Sequence, residues 1–440
     1  MNNILKTIEN KKLIKSGEKI GVAVSGGIDS MCLLDYLNRI KEQLGIELLA
    51  INVDHSIREE SKEESNFVKE FCKQNNINCH TFKVDAVEFS KENKLTLEEG
   101  ARICRYNVFN SLLKKNIVDK IAIAHHKQDQ VETILLNLVR GSGLKGASGI
   151  EYATGRFIRP MLDIDKSEII SYASENNITF MEDESNYDTN FSRNYLRHKV
   201  IPEIKNHWPN FENNLINFSK ICKQDDAYIN STISYENLIF EDNLVKIPLR
   251  MFALDNAITT RLIRKGLQHL NALKDFEQKH LQIVTSLARE GENGTKINLP
   301  NKVIASKEYD YLTLFVKSPK KLKSNKPFLV GKQDILGFNA DIKKCKSLNK
   351  VKGECLFFDY DKLPKNAVWR TKQSGDIFTK FGGGTKKLKD YFIDKKVPSR
   401  IRADLPLLVS GNEILVIFGI EISDKIKIDE STKNICIINK

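Results

Sequence analysis

The run Gly21-Val22-Ala23-Val24-Ser25-Gly26-Gly27-Ile28-Asp29-Ser30-Met31 limits what this chain can fold into more than any other stretch of it. A β-rich apolar segment enters two glycines and passes straight into amphipathic sequence, which is the order strand, tight turn, helix. The same alternation of short β-rich and longer amphipathic runs continues from residue 19 to 141, with strands expected at 20–24, 48–53, 79–84 and 121–124. After the first strand, Met31, Leu34, Tyr36, Leu37, Ile40 and Leu44 recur near helical spacing, while Asp35, Asn38, Arg39, Lys41 and Glu42 fill the opposite face. The pattern predicts βαβ units, hence an α/β fold built on a parallel sheet.

The turn has a chemistry of its own. Two glycines let the backbone approach an oxyanion, the N–H groups of the turn converge on it, and the helix N-terminus adds partial positive charge. Ser25 and Ser30 offer hydroxyl donors, and Asp29 either caps the helix or helps hold a Mg²⁺ bound to phosphates. Ser25, Gly26, Gly27, Ile28, Asp29 and Ser30 are therefore the expected nucleotide phosphate cradle. Neither G-x-x-x-x-G-K-[ST] nor G-x-G-x-x-G occurs here, which sets aside two larger nucleotide-binding classes.

A second motif, Ala124-His125-His126-Lys127-Gln128-Asp129-Gln130-Val131-Glu132-Thr133, again follows a strand and opens a helix. Its polar groups belong at the same carboxyl edge of the sheet, where open α/β sheets bind ligands. Asp129, Glu132 and Thr133 share a helix face by their i, i+3, i+4 spacing. Two carboxylates at a cleft can hold a cationic amine, orient a cytosine amino group or accept a proton from an attacking amine. His125 and His126 are either substrate-binding residues or a satisfied pair at a strand end. A third motif, residues 97–106, places Arg102 and Arg105 three apart on a helix, as guanidinium forks for phosphoryl charge or as a solvated face.

At 440 residues the chain exceeds the roughly 250 to 300 at which a single core stops growing, so two or three domains are expected. Residues 1–209 form the α/β part. Residues 210–316 read as a helical middle domain, with Leu262, Ile263, Leu267 and Leu270 as its apolar stripe. A lysine-rich linker follows at 317–327, then a small α+β domain at 328–440. Lys and Arg number 69 against 57 Asp and Glu, a net charge of +12 that favours a polyanionic partner. The eight cysteines contain no C-x-x-C pair, which argues against a zinc ribbon, an iron–sulfur site or a disulfide framework, and they receive no chemical role. The first fifteen residues lack a continuous apolar core, and the longest apolar run, residues 414–418, is far short of the roughly 20 that span a bilayer. A cytoplasmic protein with no membrane partner is expected.

The S-G-G-x-D-S pattern of residues 25–30 resembles the loop of the N-type ATP-pyrophosphatases, the PP-loop family, whose members cleave ATP between its α- and β-phosphates. Further stretches resemble the tRNA(Ile)-lysidine synthase family: Val53-Asp54-His55-Ser56-Ile57-Arg58, 98–106, 124–133 with 138–146, Arg159-Pro160-Met161-Leu162, Glu182-Asp183-Glu184-Ser185-Asn186 and Arg193-Asn194-Tyr195-Leu196-Arg197-His198. Near the end Gly375-Asp376, Lys386-Lys387-Leu388-Lys389-Asp390-Tyr391-Phe392, Val397-Pro398 and Leu405-Pro406-Leu407-Leu408 continue the likeness. One departure is Asp54, where the family pattern has an asparagine before the histidine.

The resemblance implies a ligase that uses ATP with Mg²⁺ and free L-lysine to convert the wobble cytidine of a CAU-anticodon tRNA(Ile) to lysidine. It implies catalytic roles for Asp29, Asp129, Glu132 and Arg105, substrate contacts for His125, His126 and Arg102, and tRNA contacts for Lys386, Lys387 and Lys389; no protein-bound metal is expected beyond Mg²⁺ near Asp29. A monomer and a homodimer both remain open. A tRNA thiolase on the same loop is the enzymatic alternative, although it would need a cysteine pair that these spacings do not supply. A non-catalytic tRNA-binding protein is the other, and the intact Asp29, Asp129 and Glu132 speak against it.

Overall fold

The computed structural model describes residues 1, 3–55, 60–181, 188–316, 325–346 and 355–439. Ser56-Ile57-Arg58, Glu182 to Asn186 and residues 317–324 of the expected linker lie outside the described residues. The chain divides into two compact units, Met1–Tyr228 and Ile229–Lys440.

The first unit opens with helix α1 (Asn3–Asn10) and then lays down β1 (Lys19–Val24), α2 (Ile28–Leu44), β2 (Glu47–Asp54), α3 (Glu60–Gln74) and β3 (Asn78–Lys83). Helices α4 (Ala86–Asn93) and α5 (Leu97–Lys114) lead to β4 (Lys120–Ala122), α6 (Lys127–Val139) and α7 (Leu144–Ala147). Short strands β5 (Ala153–Thr154) and β6 (Phe157–Ile158), α8 (Lys166–Glu175), α9 (Ser192–Tyr195), a π-helical turn at Leu196–Val200, α10 (Ile201–His207) and α11 (Phe211–Ser231) complete it. The unit boundary falls late in α11, further along than the boundary at 209/210 read from the sequence.

The sheet order is β3-β2-β1-β4-β6-β5, parallel throughout except for the β5–β6 pair. The four strands expected from the sequence are present to within about two residues at each end. On one face, Ile20, Val22, Val24 and Ala50 pack with Met31, Leu34 and Leu37 of α2 and Val68 and Cys72 of α3. On the other, Ile51 and Ile121 pack with Phe109, Leu112 and Leu113 of α5. Gly21 makes this second layer possible, because a Cβ there would stand 2.5 Å from Ile51 Cδ1. With apolar cover on both faces, the polar loops collect at the strand ends.

The chain leaves β1 in one direction to build β2 and β3 and later returns to β1's other side with β4. This reversal opens a crevice at the carboxyl ends of β1 and β4, the place where such sheets take ligands. Both expected motifs follow these two neighbouring strands, paired in register Gly21 with Ile121 and Val22 with Ala122.

In the second unit the expected helices are there as α12 (Asn256–His269) and α13 (Gln278–Glu290), with Leu262, Ile263 and Leu267 fully buried and Leu270 packed against the same cluster. The structure adds a five-stranded antiparallel sheet of β7 (Ile239–Glu241), β8 (Leu244–Pro248), β9 (Lys296–Asn298), β10 (Val303–Glu308) and β11 (Tyr311–Val316), so the middle segment is mixed rather than purely helical. Beyond residue 325, two further sheets and the helix Leu388–Asp394 form the α+β terminus. Among the described residues no helix is long and apolar enough to cross a membrane.

Candidate active site

The phosphate loop joins β1 to α2. Gly26 has φ +93°, a conformation that other residues adopt only under strain, and Met181 N–H donates to its carbonyl at 3.0 Å. Gly27 stands at the N-cap of α2 and has no side chain to cap the first turn, whose amide groups therefore point toward the crevice. Ser30 braces the loop: its hydroxyl donates to Gly27 O at 2.9 Å and accepts from Ser25 N at 3.2 Å, and the Ser25 hydroxyl lies 3.4 Å away. The loop is thus held open by Ser30 while Ser25 remains at its rim. This geometry fits phosphate oxygens.

Asp29 sits in the first turn of α2, and its two oxygens have different neighbours. Lys166, at the start of α8, donates to Oδ1 at 2.6 Å, and His126 Nε2 lies 3.7 Å from Oδ2. His126 Nε2 is also 3.6 Å from Asp129 Oδ2, so one imidazole connects the two loop ends. The carboxylate of Asp29 is half-buried and anionic beside a phosphate cradle, a donor suited to a Mg²⁺ carried by a nucleotide.

Helix α6 is capped from its own sequence. His126 Nδ1 accepts from Gln128 N at 3.2 Å, and Asp129 Oδ2 accepts from His126 N at 2.9 Å. Asp129 Oδ1 lies 3.7 Å from Arg197. Burial opposes ionisation of Asp129, but His126, His125, the His126 amide and Arg193 together hold its carboxyl below the usual carboxylate value. It is an anion that binds cations and donors, not a strong base.

Glu132 departs from the expectation of a second carboxylate facing the cleft. It is 0% exposed, and both its oxygens are taken: Arg197 donates to Oε1 at 2.5 Å and to Oε2 at 3.0 Å, and Arg193 to Oε2 at 2.9 Å. The physical reason lies in the helical spacing. Residue 132 falls one turn deeper than Asp129, on the side that meets α9 and the π-helical turn, and a carboxylate buried there requires partners. Arg193 also donates to Thr133 Oγ1 at 2.8 Å, and a π-helical turn at Leu196–Val200 sets Arg197 beside it. Glu132 therefore positions two guanidinium groups at the rim, each about one-third exposed.

Around this pair stand the other basic groups. Arg159 Nε donates to His125 Nδ1 at 3.2 Å, which places the neutral ring's proton on Nε2. Burial first, then Arg159, Arg193 and Arg102, pushes His125 down to about 4. His125 is thus a neutral donor at ordinary pH. Arg105, on α5, is lowered chiefly by burial and by Arg102, and both burial and Arg105 lower His55 at the end of β2. The His55 Nδ1 atom is buried without a hydrogen-bond partner among the described residues. Arg102 is exposed and stacks over the Tyr106 ring at 5.0 Å.

The structure accordingly brings together Ser25–Ser30, His125, His126, Asp129 and Glu132, with Arg102 and Arg105 alongside. Sequence reasoning did not single out Lys166, Arg159, Arg193 or Arg197 as site residues, since Lys166 and Asp29 are 137 positions apart. For Arg159, Arg193 and Arg197 the available signals were the family-like stretches 159–162 and 193–198 that contain them, and the i, i+4 spacing of Arg193 and Arg197. A cavity of about 590 Å³ between β3 and α5, with His80, Phe82, Asn107 and Lys115 in its wall, shares none of these residues. In the second unit, Lys386, Lys387 and Lys389 are exposed at the junction of the strand Thr385–Lys387 with the helix Leu388–Asp394, and Lys386 is paired with Asp394 at 2.6 Å.

A loop of this construction at a sheet reversal defines the PP-loop class of ATP-binding proteins, and a PP-loop domain model matches residues 1–204. A second model, the TilS substrate C-terminal domain, matches residues 367–438. The chain is 34% identical over 457 residues to the tRNA(Ile)-lysidine synthase of Caldanaerobacter subterraneus subsp. tengcongensis, covering 100% of this chain and 97% of that one. It is 35% identical to the enzyme of the same name from Clostridium perfringens (98% and 97% covered) and 32% identical to that of Clostridium tetani (98% and 96%). The chain belongs to the tRNA(Ile)-lysidine synthase family.

Proposed function

We infer that the chain ligates the ε-amine of lysine to C2 of the wobble cytidine in a CAU-anticodon tRNA(Ile), converting ATP to AMP and diphosphate. The observation that carries this reading is the meeting of Asp29, His126 and Asp129 at the β1/β4 reversal, next to an uncapped, glycine-built helix start. An ATP-cleaving loop and an amine-binding carboxylate then share one crevice.

In the first step the cytidine O2 attacks the α-phosphorus. The new O2–P bond forms as the bond between Pα and the bridging oxygen breaks, and diphosphate leaves. Gly26, Gly27, Ile28 and the first-turn amides cradle that diphosphate, with Ser25 as a hydroxyl donor and Ser30 bracing the loop through Gly27 O. Lys166, already 2.6 Å from Asp29, supplies an ammonium to the departing charge, and Asp29 is the residue that would hold Mg²⁺, which spreads charge over the phosphates. Arg102 and Arg105 add guanidinium donors on the α5 side.

In the second step the lysine amine attacks C2, the C2–O bond to AMP breaks, and the amine releases a proton. Adenylation has turned a poor leaving oxygen into a good one. Asp129, kept anionic, receives the cationic amine or the cytosine amino group, while Arg193 and Arg197, locked by Glu132, face the anions of the complex. His125 donates from Nε2. The exposed lysines at 386, 387 and 389 contact the tRNA backbone. An unpaired anticodon base reaches the crevice at modest cost.

Asp29→Ala tests the assignment. AMP formation in the presence of ATP, lysine and tRNA is expected to vanish while tRNA affinity persists. Loss of both together would mean that Asp29 holds the fold and not the nucleotide.

A further inference from the structure

A hairpin tip in the second unit carries a ring that the fold does not use. The strands Ile377–Thr379 and Thr385–Lys387 pair antiparallel, with Phe378 opposite Lys386 and Thr379 opposite Thr385. Phe378 anchors the hairpin, being fully buried with its ring 4.5 Å from that of Tyr391 on the helix Leu388–Asp394. At the tip, by contrast, Phe381 is 58% exposed. A single exposed apolar side chain is ordinary on a protein surface. This one stands on a backbone shaped to present it.

Gly382, Gly383 and Gly384 follow the ring with φ +83°, +92° and +87°, in the left-handed region that a residue with a side chain reaches only under strain. A Cβ on Gly382 or Gly383 would meet no atom within 4 Å, so the space next to Phe381 in the chain is clear for a flat partner. The turn is nonetheless held. Gly383 N donates to Lys380 O at 3.0 Å, Lys380 N to Gly384 O at 3.3 Å, and Gly382 N to Asp424 Oδ1 at 3.2 Å. A turn fixed in this way presents its ring without a large ordering cost on binding.

The charge around the tip indicates what the ring meets. Lys380, Lys386 and Lys387 are exposed on the hairpin, and Lys389 is exposed in the first turn of the helix that follows. Of the acids close by, Asp394 is taken by Lys386 at 2.6 Å and Asp424 by Lys427 at 3.0 Å. An aromatic ring among lysines suits single-stranded nucleic acid, whose phosphates take the ammonium groups while a base stacks on the ring. A base inside a duplex offers no free face.

We propose that Phe381 is a base-stacking residue of the RNA-binding surface, taking an unpaired base of the tRNA while the neighbouring lysines hold phosphates. The choice of tRNA as the RNA rests on the proposed function; the ring itself suits any RNA with an unpaired base. Stacking and phosphate contact leave different marks. A lysine acts through released counterions and sets the salt slope, whereas a stacked ring contributes alike at every salt concentration.

Affinity of the full-length protein for a CAU-anticodon tRNA(Ile), measured across a salt series, reads both. Phe381→Ala is expected to weaken binding about tenfold at each salt concentration with no change in slope. Phe381→Trp is expected to keep the parent affinity and to add an indole whose fluorescence falls on binding, beyond any change from Trp208 and Trp369 in the parent chain. Phe381→Leu, apolar but not flat, is expected to bind like the alanine variant. Binding by Phe381→Ala within about twofold of the parent, a changed slope, or full rescue by leucine overturns the stacking role. Those outcomes leave lysidine formation by the parent chain untouched. A parent chain that binds the tRNA and makes no lysidine overturns the ligase reading and not the stacking.

Discussion

Glu132 is the residue on which the arginine side of the crevice depends. Its carboxylate takes three hydrogen bonds from Arg193 and Arg197 at full burial, so removing it strands two cations that have few other partners. Glu132→Ala is expected to cost about 3 kcal/mol in urea unfolding, and a loss below about 1 kcal/mol would contradict the account. His125 gives a pH signature. Its pKa is about 4 when folded and about 6.5 when unfolded, so below the upper value the unfolded chain binds a proton that the folded one refuses. Stability is then lost as pH falls from about 6.5 to about 4, with this group contributing a slope of at most about 1.4 kcal/mol per unit. Thermal unfolding of His125→Asn across that window should show a shallower dependence than the parent chain. At this scale the placement of the phosphate loop and of Asp129 at the crevice was legible because it is encoded locally, by glycines before a helix and a carboxylate in its first turn. Lys166, Arg159, Arg193 and Arg197 were not, because their partners are 34 to 137 positions away and only the sheet order brings them close.

At the scale of elements, the turn between β1 and α2 works by conformation more than by side chains. Gly26 holds φ +93° with its nearest neighbour, Val68, 3.9 Å from a would-be Cβ, so an alanine there would meet backbone strain and not a clash. Gly26→Ala is expected to destabilise by about 1 to 3 kcal/mol and to raise the KM for ATP more than it lowers tRNA affinity. Equal effects on both ligands would place the loop outside the nucleotide site. The parallel strands were legible because both faces are covered and their sequences are apolar runs between turn residues. Of the strands β7 to β11, β7 and β9 are only three residues each, and β8, β10 and β11 escaped because they lie beside helices whose stripe dominates the pattern.

At the scale of the whole molecule, a net charge of +12 suits an RNA substrate, and the matched C-terminal segment carries three exposed lysines at 386, 387 and 389. Lys386 already pairs with Asp394, so it has less to give than the other two. Replacing all three by alanine is expected to reduce the slope of log affinity against log salt by about 2 and to weaken different tRNAs alike. An unchanged slope would remove them from the interface. The central claim is that ATP cleavage and lysine transfer occur at one crevice on one tRNA. Incubating the protein with ATP, labelled lysine and a CAU-anticodon tRNA(Ile), followed by digestion and mass spectrometry of the nucleosides, tests it most directly. A lysine-bearing cytidine formed together with AMP and diphosphate is the expected result; AMP formed without lysine entering the tRNA, or sulfur entering in its place, would contradict it.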